Sequence, residues 1–206
     1  MLSQKEDCMR IPTFRNVSEQ RAFTVTELLV VIGIVALLSA ILFPVLARAK
    51  AAAQVTTCMS NLRQIGLGTT LYAGDNGDFL MPRSQSAADP PVAEWTERLK
   101  SYGVSSRVLR CPADCYYDIS SGSRDCSNNF HKRTGSSYSY NGRNIEEKFS
   151  TLTSAPDSSK TALMIEHLPF HDDINFATGR IRTLFFDLHV APVPWGQRMQ
   201  VLDPQN

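Results

Sequence analysis

Residues 28–47 read LLVVIGIVALLSAILFPVLA, twenty positions without a charge. About 20 apolar residues rising ~1.5 Å each give an α-helix the length to cross a ~30 Å hydrocarbon layer, so this run predicts one membrane-spanning helix. The pattern then changes without stopping. Residues 48–71 are rich in Ala, Leu, Gln and Arg and hold no Pro, and Val45, Ala49, Ala52, Ala53, Thr56, Met59, Leu62 and Ile65 recur at steps of three and four. That spacing predicts a continuing helix with one face laid on a globular domain. Pro44 lacks an N–H and crowds the preceding turn, which predicts a kink or a locally melted turn there. Gly66 and Gly68 weaken the end, and Ala73-Gly74-Asp75-Asn76-Gly77-Asp78 predicts a stop and a turn.

Past the turn the pattern is sparser. Residues 79–82 predict a short extended piece, 84–91 a loop, and 95–102 (WTERLKSY) a short helix. Residues 111–136 are rich in Cys, Ser, Gly, Asn and Asp. Such a composition buries too little apolar surface to order itself by packing, and predicts an irregular excursion held by cross-links. Residues 137–140 predict a strand, while 160–166 (KTALMIE) and 181–190 (IRTLFFDLHV) predict neighbouring antiparallel strands packed on the helix. Pro192, Pro194 and the tail from Gly196 predict irregular chain. The sum is an α+β fold: a leader over residues 1–22, a long helix over 23–73 with its transmembrane part at about 23–47, and a globular domain over 74–206 with a small antiparallel sheet.

Charge and cysteine usage narrow the function classes. The formal net charge is +1 over 206 residues, and residues 1–22 hold Lys5, Arg10, Arg15 and Arg21 against Glu6, Asp7 and Glu19, leaving 17 basic and 17 acidic residues beyond them. A neutral remainder predicts no nucleic-acid partner. Of five cysteines, Cys8 lies in the leader; Cys58, Cys111, Cys115 and Cys126 allow three complete pairings, among which sequence does not choose. Disulfides are the expected use, and a loop of about 15 residues closed between Cys111 and Cys126 would contribute roughly 3 kcal/mol. Cys111, Cys115, Cys126 and His131 also loosely match a structural zinc spacing. No Gly-rich phosphate loop, Ser elbow or paired-carboxylate motif is present, so an enzyme is not expected.

Two details set the apolar run apart from a secretory signal. Its small residue, Ala22, stands before the run and not after it, and Glu27 places a carboxylate at its start, where burial in lipid costs roughly 2.5–3.5 kcal/mol. The run Arg21-Ala22-Phe23-Thr24-Val25-Thr26-Glu27, followed by the apolar residues, resembles the class III signal of type IV pilins and type II secretion pseudopilins. The resemblance implies that a prepilin peptidase cuts between Ala22 and Phe23 on the cytoplasmic side of a bacterial inner membrane and methylates the new amino group of Phe23. It implies a single-pass protein with its domain in the periplasm or outside. Other pilin or pseudopilin subunits, an assembly ATPase and a platform membrane protein follow as partners, with Glu27 registering the stems and Pro44 matching the family's helix-kinking Pro.

Beyond the stem the chain resembles a large subgroup of bacterial prepilin-like proteins whose last motif is a His followed at a distance by Asp-Gly. The resemblance rests on residues 58–67 (CMSNLRQIGL), 71–73 (LYA), Asp75-Asn76, 109–112 (LRCP), Ser139-Tyr140-Asn141 and 184–190 (LFFDLHV), which together span most of the chain after the leader. Leu188 stands where the subgroup has Gly, and Ala177 where it has His. Strand alternation would put Asp187 and His189 on one face, as a metal or polar pair assisted by His171 or His167, or simply as a solvated face or a turn tie. Asp172 and Asp173 with Asp187 are a candidate calcium set, since the major pseudopilins this chain resembles often bind that ion. Two other roles fit the same residues: a membrane-tethered binding module that never polymerises, gripping a ligand with residues 111–136, and a minor subunit at a filament tip.

Overall fold

A computed structural model describes residues 23–82, 92–118, 123–127, 129–141, 147–171 and 178–202. Ala22, Cys8, Asp172, Asp173, Ala177 and the loop expected over 84–91 lie outside the described residues.

The chain is α+β. Helix α1, Val25–Asp75, is 51 residues long and passes through Pro44 as uninterrupted helix, so the melted turn expected there is absent. One Pro removes a single rung of the ladder, and the strong helix formers around it carry the rest. The chain divides into two compact units within this helix, residues 1–46 and residues 47–206. In the first, the apolar side chains from Phe23 to Leu46 are exposed.

In the second unit the helix buries Cys58, Asn61, Leu62, Ile65, Gly66, Gly68, Thr69, Tyr72 and Ala73, which recur at three- and four-residue steps. The predicted stripe holds at Leu62 and Ile65 and fails earlier: Ala49, Ala52, Ala53 and Thr56 are exposed. Alanines crowd every side of the helix between Ala47 and Ala53, so their spacing reports helix propensity and not a buried face.

After α1 come α2 (Val92–Leu99), a 3₁₀ turn (Lys100–Tyr102), strands β1 (Tyr116–Asp118) and β2 (Ser123–Asp125), and α3 (Phe130–Thr134). Then follow β3 (Tyr138–Tyr140), α4 (Phe149–Ser154), β4 (Ala162–Glu166), β5 (Arg180–Phe185), β6 (Val190–Pro194), a 3₁₀ turn (Trp195–Gln197) and α5 (Arg198–Leu202). The helix expected over 95–102 and the strand over 137–140 are therefore present. The excursion over 111–136 is more regular than its composition implies, with the β1–β2 hairpin and α3 inside it. At the end of α1, Asp78 takes a positive φ of 71° and caps α4: its carboxylate accepts from the Ser150 N–H at 3.2 Å and from the Ser150 hydroxyl.

The main sheet is antiparallel in the order β3-β4-β5-β6. Every residue of β4 is buried, and β5 is exposed only at Arg180. One core joins α1 to the sheet through Leu62, Ile65, Leu163, Met164 and Leu184, with Trp95, Leu99 and Phe186. A smaller cluster gathers Ala162, Ile165, Ile181, Phe185 and Val193, with Trp195, Val201 and Leu202 packed against it. A register irregularity between Ala162 and Met164 breaks the strict alternation of β4.

The strand expected over 181–190 is in fact two strands and a turn. β5 ends at Phe185, the chain reverses through residues 186–189, and β6 pairs back with Leu184 opposite Val190 and Arg180 opposite Pro194. Pro192 and Pro194, expected in irregular chain, sit in this edge strand, where a missing N–H can face outward without breaking a ladder bond. The tail from Gly196 also folds further than expected, with the Arg198 guanidinium 4.0 Å from the Trp195 ring centre.

Candidate functional sites: the stem terminus and a buried cysteine, carboxylate and histidine cluster

The stem begins with a reciprocal cap. Thr24 Oγ1 accepts from the Glu27 N–H at 3.3 Å, and Glu27 Oε2 accepts from the Thr24 N–H at 2.9 Å and from its hydroxyl at 2.7 Å. Two backbone donors that a helix start leaves open are satisfied this way. Glu27 thus has partners within its own chain, and the signal was in plain view: Thr, two residues, Glu, then an apolar run. Phe23 stands beside the cap, 71% exposed. Helix α1 is long and apolar enough to cross a membrane, and none of its most apolar stretch is buried.

The second site lies in the domain core. Cys58 of α1 is disulfide-bonded to Cys111, with Cα atoms 5.3 Å apart, and Cys115 is bonded to Cys126 across the base of the β1–β2 hairpin. The loop considered between Cys111 and Cys126 is therefore not the one closed. Nor does the zinc spacing assemble among the described residues, because its cysteines divide between two disulfides and His131 is not grouped with them.

Against the Cys58–Cys111 bond stand two residues from one end of β4. Glu166 is its last residue, and His171 follows after a short turn. His171 Nε2 lies 3.2 Å from Cys111 Sγ and 3.3 Å from Glu166 Oε1, and Glu166 Oε1 lies 3.8 Å from Cys111 Sγ. The side chains of Glu166 and His171 are 0% and 1% exposed. Glu166 Oε2 accepts from the Arg182 N–H on β5 at 2.9 Å. A carboxylate out of reach of water is costly unless it is hydrogen-bonded or paired, and these contacts meet that need.

Polar side chains hold the Cys111 segment in place. Asn61 Nδ2 donates to the Arg110 carbonyl at 3.0 Å, and the Cys111 N–H donates to Ser137 Oγ at 2.9 Å. Ser137 Oγ donates in turn to Asp114 Oδ2 at 2.6 Å, and Asp114 also accepts from the N–H groups of Phe130 and His131. Tyr138, beside Asn61, is fully buried, and burial pushes its phenol well above the ordinary value. Burial likewise lowers His167, partly opposed by the charge of Asp114. Beside His171 a groove is lined by Gln54, Arg110, Pro112, Asp114 and Phe170.

Asp187 and His189 do not share a strand face. Both lie in the β5–β6 turn, where Asp187 Oδ1 accepts from the His189 N–H at 3.2 Å and pairs with its ring, itself stacked on Phe185. That is an Asp tying down a turn. His171 is committed to Glu166 and Cys111, so the proposed grouping of His171 with Asp187 and His189 does not form among the described residues. Sequence reading passed over Glu166, Asp114 and Asn61. The one signal for Glu166 was an acid closing an otherwise apolar strand.

Against protein-family models, curated proteins and solved structures, the chain finds no match.

Proposed function

We propose that the chain is a prepilin-like structural subunit, cut between Ala22 and Phe23 and N-methylated at Phe23, that assembles through its stem into a pilus or secretion pseudopilus. The observation that carries this reading is the stem: an apolar helix, uncovered over its whole first part, whose charge up to Ala47 is confined to Glu27 at its start. Apolar helices among lipid tails gain no direction from hydrophobicity, so a polar group must set their register. Glu27 lies one helical turn from Phe23, the residue that would carry the new ammonium. A carboxylate capping its own helix in one subunit would meet that cation on a neighbour, and an unpaired charge in an apolar bundle disfavours every other register. A prepilin peptidase, an assembly ATPase and a polytopic platform protein would be the partners.

Two measurements test this. N-terminal sequencing of the membrane-extracted protein should begin at methylated Phe23; residues 1–22 retained would refute the processing. Glu27→Ala in the producing strain should leave cleavage normal and remove the protein from sheared surface filaments. Normal incorporation would remove the registering role, and a wild-type chain found only with membranes would favour a tethered module.

A further inference from the structure

We propose that Cys58, Cys111, Glu166 and His171 form a zinc site once the Cys58–Cys111 bond is reduced, so that a disulfide and a metal ion are alternative locks on one junction between α1 and the sheet. The four donor atoms lie within 4.8 Å of one another. A tetrahedral zinc ion, with bonds of about 2.3 Å to sulfur and 2.0–2.2 Å to nitrogen and oxygen, sets its ligands about 3.3–3.8 Å apart. The separations among Cys111 Sγ, His171 Nε2 and Glu166 Oε1 are 3.2, 3.3 and 3.8 Å. Three of the four ligands therefore already stand close to an edge length of that tetrahedron apart. The two sulfurs, held at bonding distance by the disulfide, have to part, and Cys58 Sγ, within 4.8 Å of Glu166 and His171, has to settle at the fourth corner.

A disulfide by itself needs neither a carboxylate nor an imidazole beside it. Here both are withdrawn from solvent, and each aims one atom at the same sulfur. In the disulfide form the two groups satisfy each other, and a cation placed between them and the sulfurs would replace that contact with bonds to both. The donor set of two sulfurs, one nitrogen and one oxygen suits borderline-soft zinc better than the oxygen-seeking calcium or magnesium. The outer contact is also present, since Glu166 Oε2 is oriented by the Arg182 N–H.

The chemistry balances with a dithiol as reductant. The dithiol gives two electrons and two protons to the Cys58–Cys111 bond and becomes a disulfide itself. Zinc then displaces the two thiol protons to water and binds both Sγ atoms, Glu166 Oε1 and the lone pair of His171 Nε2, with the imidazole proton on Nδ1. Such a junction stays closed in reducing and in oxidising surroundings alike.

The test uses the full chain in detergent, reduced with a phosphine and titrated with zinc and, separately, with cobalt as a spectroscopic probe. One zinc per chain is expected, with the sulfur-to-cobalt charge-transfer band and the intense visible absorption of tetrahedral cobalt. Glu166→Gln and His171→Ala should weaken binding by about 100-fold, the upper end of what losing even an outer-shell partner costs, with the far-UV spectrum retained. The double variant Cys115→Ser/Cys126→Ser should still bind one ion. No stoichiometric ion in the reduced, folded chain would overturn the proposal, as would unchanged affinity in both ligand variants or unfolding on reduction with zinc present. Octahedral cobalt would overturn it too.

Discussion

Leu188 holds a backbone φ of 67°, and its Cδ2 stands 3.4 Å from where a Cβ on Gly66 would lie, so a strained turn residue packs directly on helix α1. The left-handed conformation costs an L-residue roughly 1–2 kcal/mol, which glycine avoids. Leu188→Ala keeps the strain and loses the packing; Leu188→Gly loses the packing but relieves the strain. Denaturant titration should therefore find Leu188→Gly more stable than Leu188→Ala by about 1 kcal/mol, the reverse of the usual order for these two residues. Equal stabilities would mean the turn is unstrained.

Gly68 is pressed closer still, since a Cβ there would sit 2.6 Å from Val104 Cγ2. Val is short and stiff, so it cannot swing aside as a long side chain would. Overpacking costs about 1–3 kcal/mol, against a helix-propensity gain of up to about 1 kcal/mol for replacing glycine. The clash wins, and Gly68→Ala should lose about 1 kcal/mol net. In a Val104→Ala background the same change should stabilise, and a double-mutant cycle reads the difference.

The two disulfides should differ in weight. Cys58–Cys111 spans a sequence separation of 53, Cys115–Cys126 one of 11. Loop-closure entropy then assigns about 4 kcal/mol to the first and about 3 kcal/mol to the second. Cys58 and Cys111 are both 0% exposed, so replacing them also alters packing inside the core. Thermal unfolding in metal-free buffer should show a clearly larger loss for Cys58→Ser/Cys111→Ser than for Cys115→Ser/Cys126→Ser.

His167 makes the domain acid-sensitive. It is stacked on Phe130 at 5.2 Å, its Nε2 is buried without a partner, and burial lowers its pKa, with Asp114 opposing. Between the lowered folded value and the ordinary value of about 6.5, the unfolded chain binds a proton that the folded one refuses, so stability falls as pH drops through that window. Above about 6.5 the contribution is complete. Denaturation midpoints at pH 7.5 and 5.5 should separate in the native chain and draw together in His167→Phe.

How much of this was legible depends on the distance over which each feature is decided. Cys111 gave no hint of its partner, because Cys58 lies 53 residues earlier and the excursion that Cys111 opens holds two other cysteines on which it could have closed. Residues 181–190 read as one strand because Ile181, Thr183, Phe185, Phe186 and Val190 are all β-formers. The reversal through Leu188 comes from pairing with β4 and β6 and from packing on Gly66. Asp187 and His189 were two apart and did meet, though in a turn instead of across a face.

The apolar stem, the long helix, the short helix near Trp95 and the strands at Tyr138, Leu163 and Ile181 were determined by sequence, since hydropathy and periodicity are settled among residues a few positions apart. Only tertiary structure decided that Glu166 and His171 would converge on Cys111, and which cysteines would bond. Those meetings join segments that local pattern leaves independent, and they are chosen by where the folded chain returns to itself.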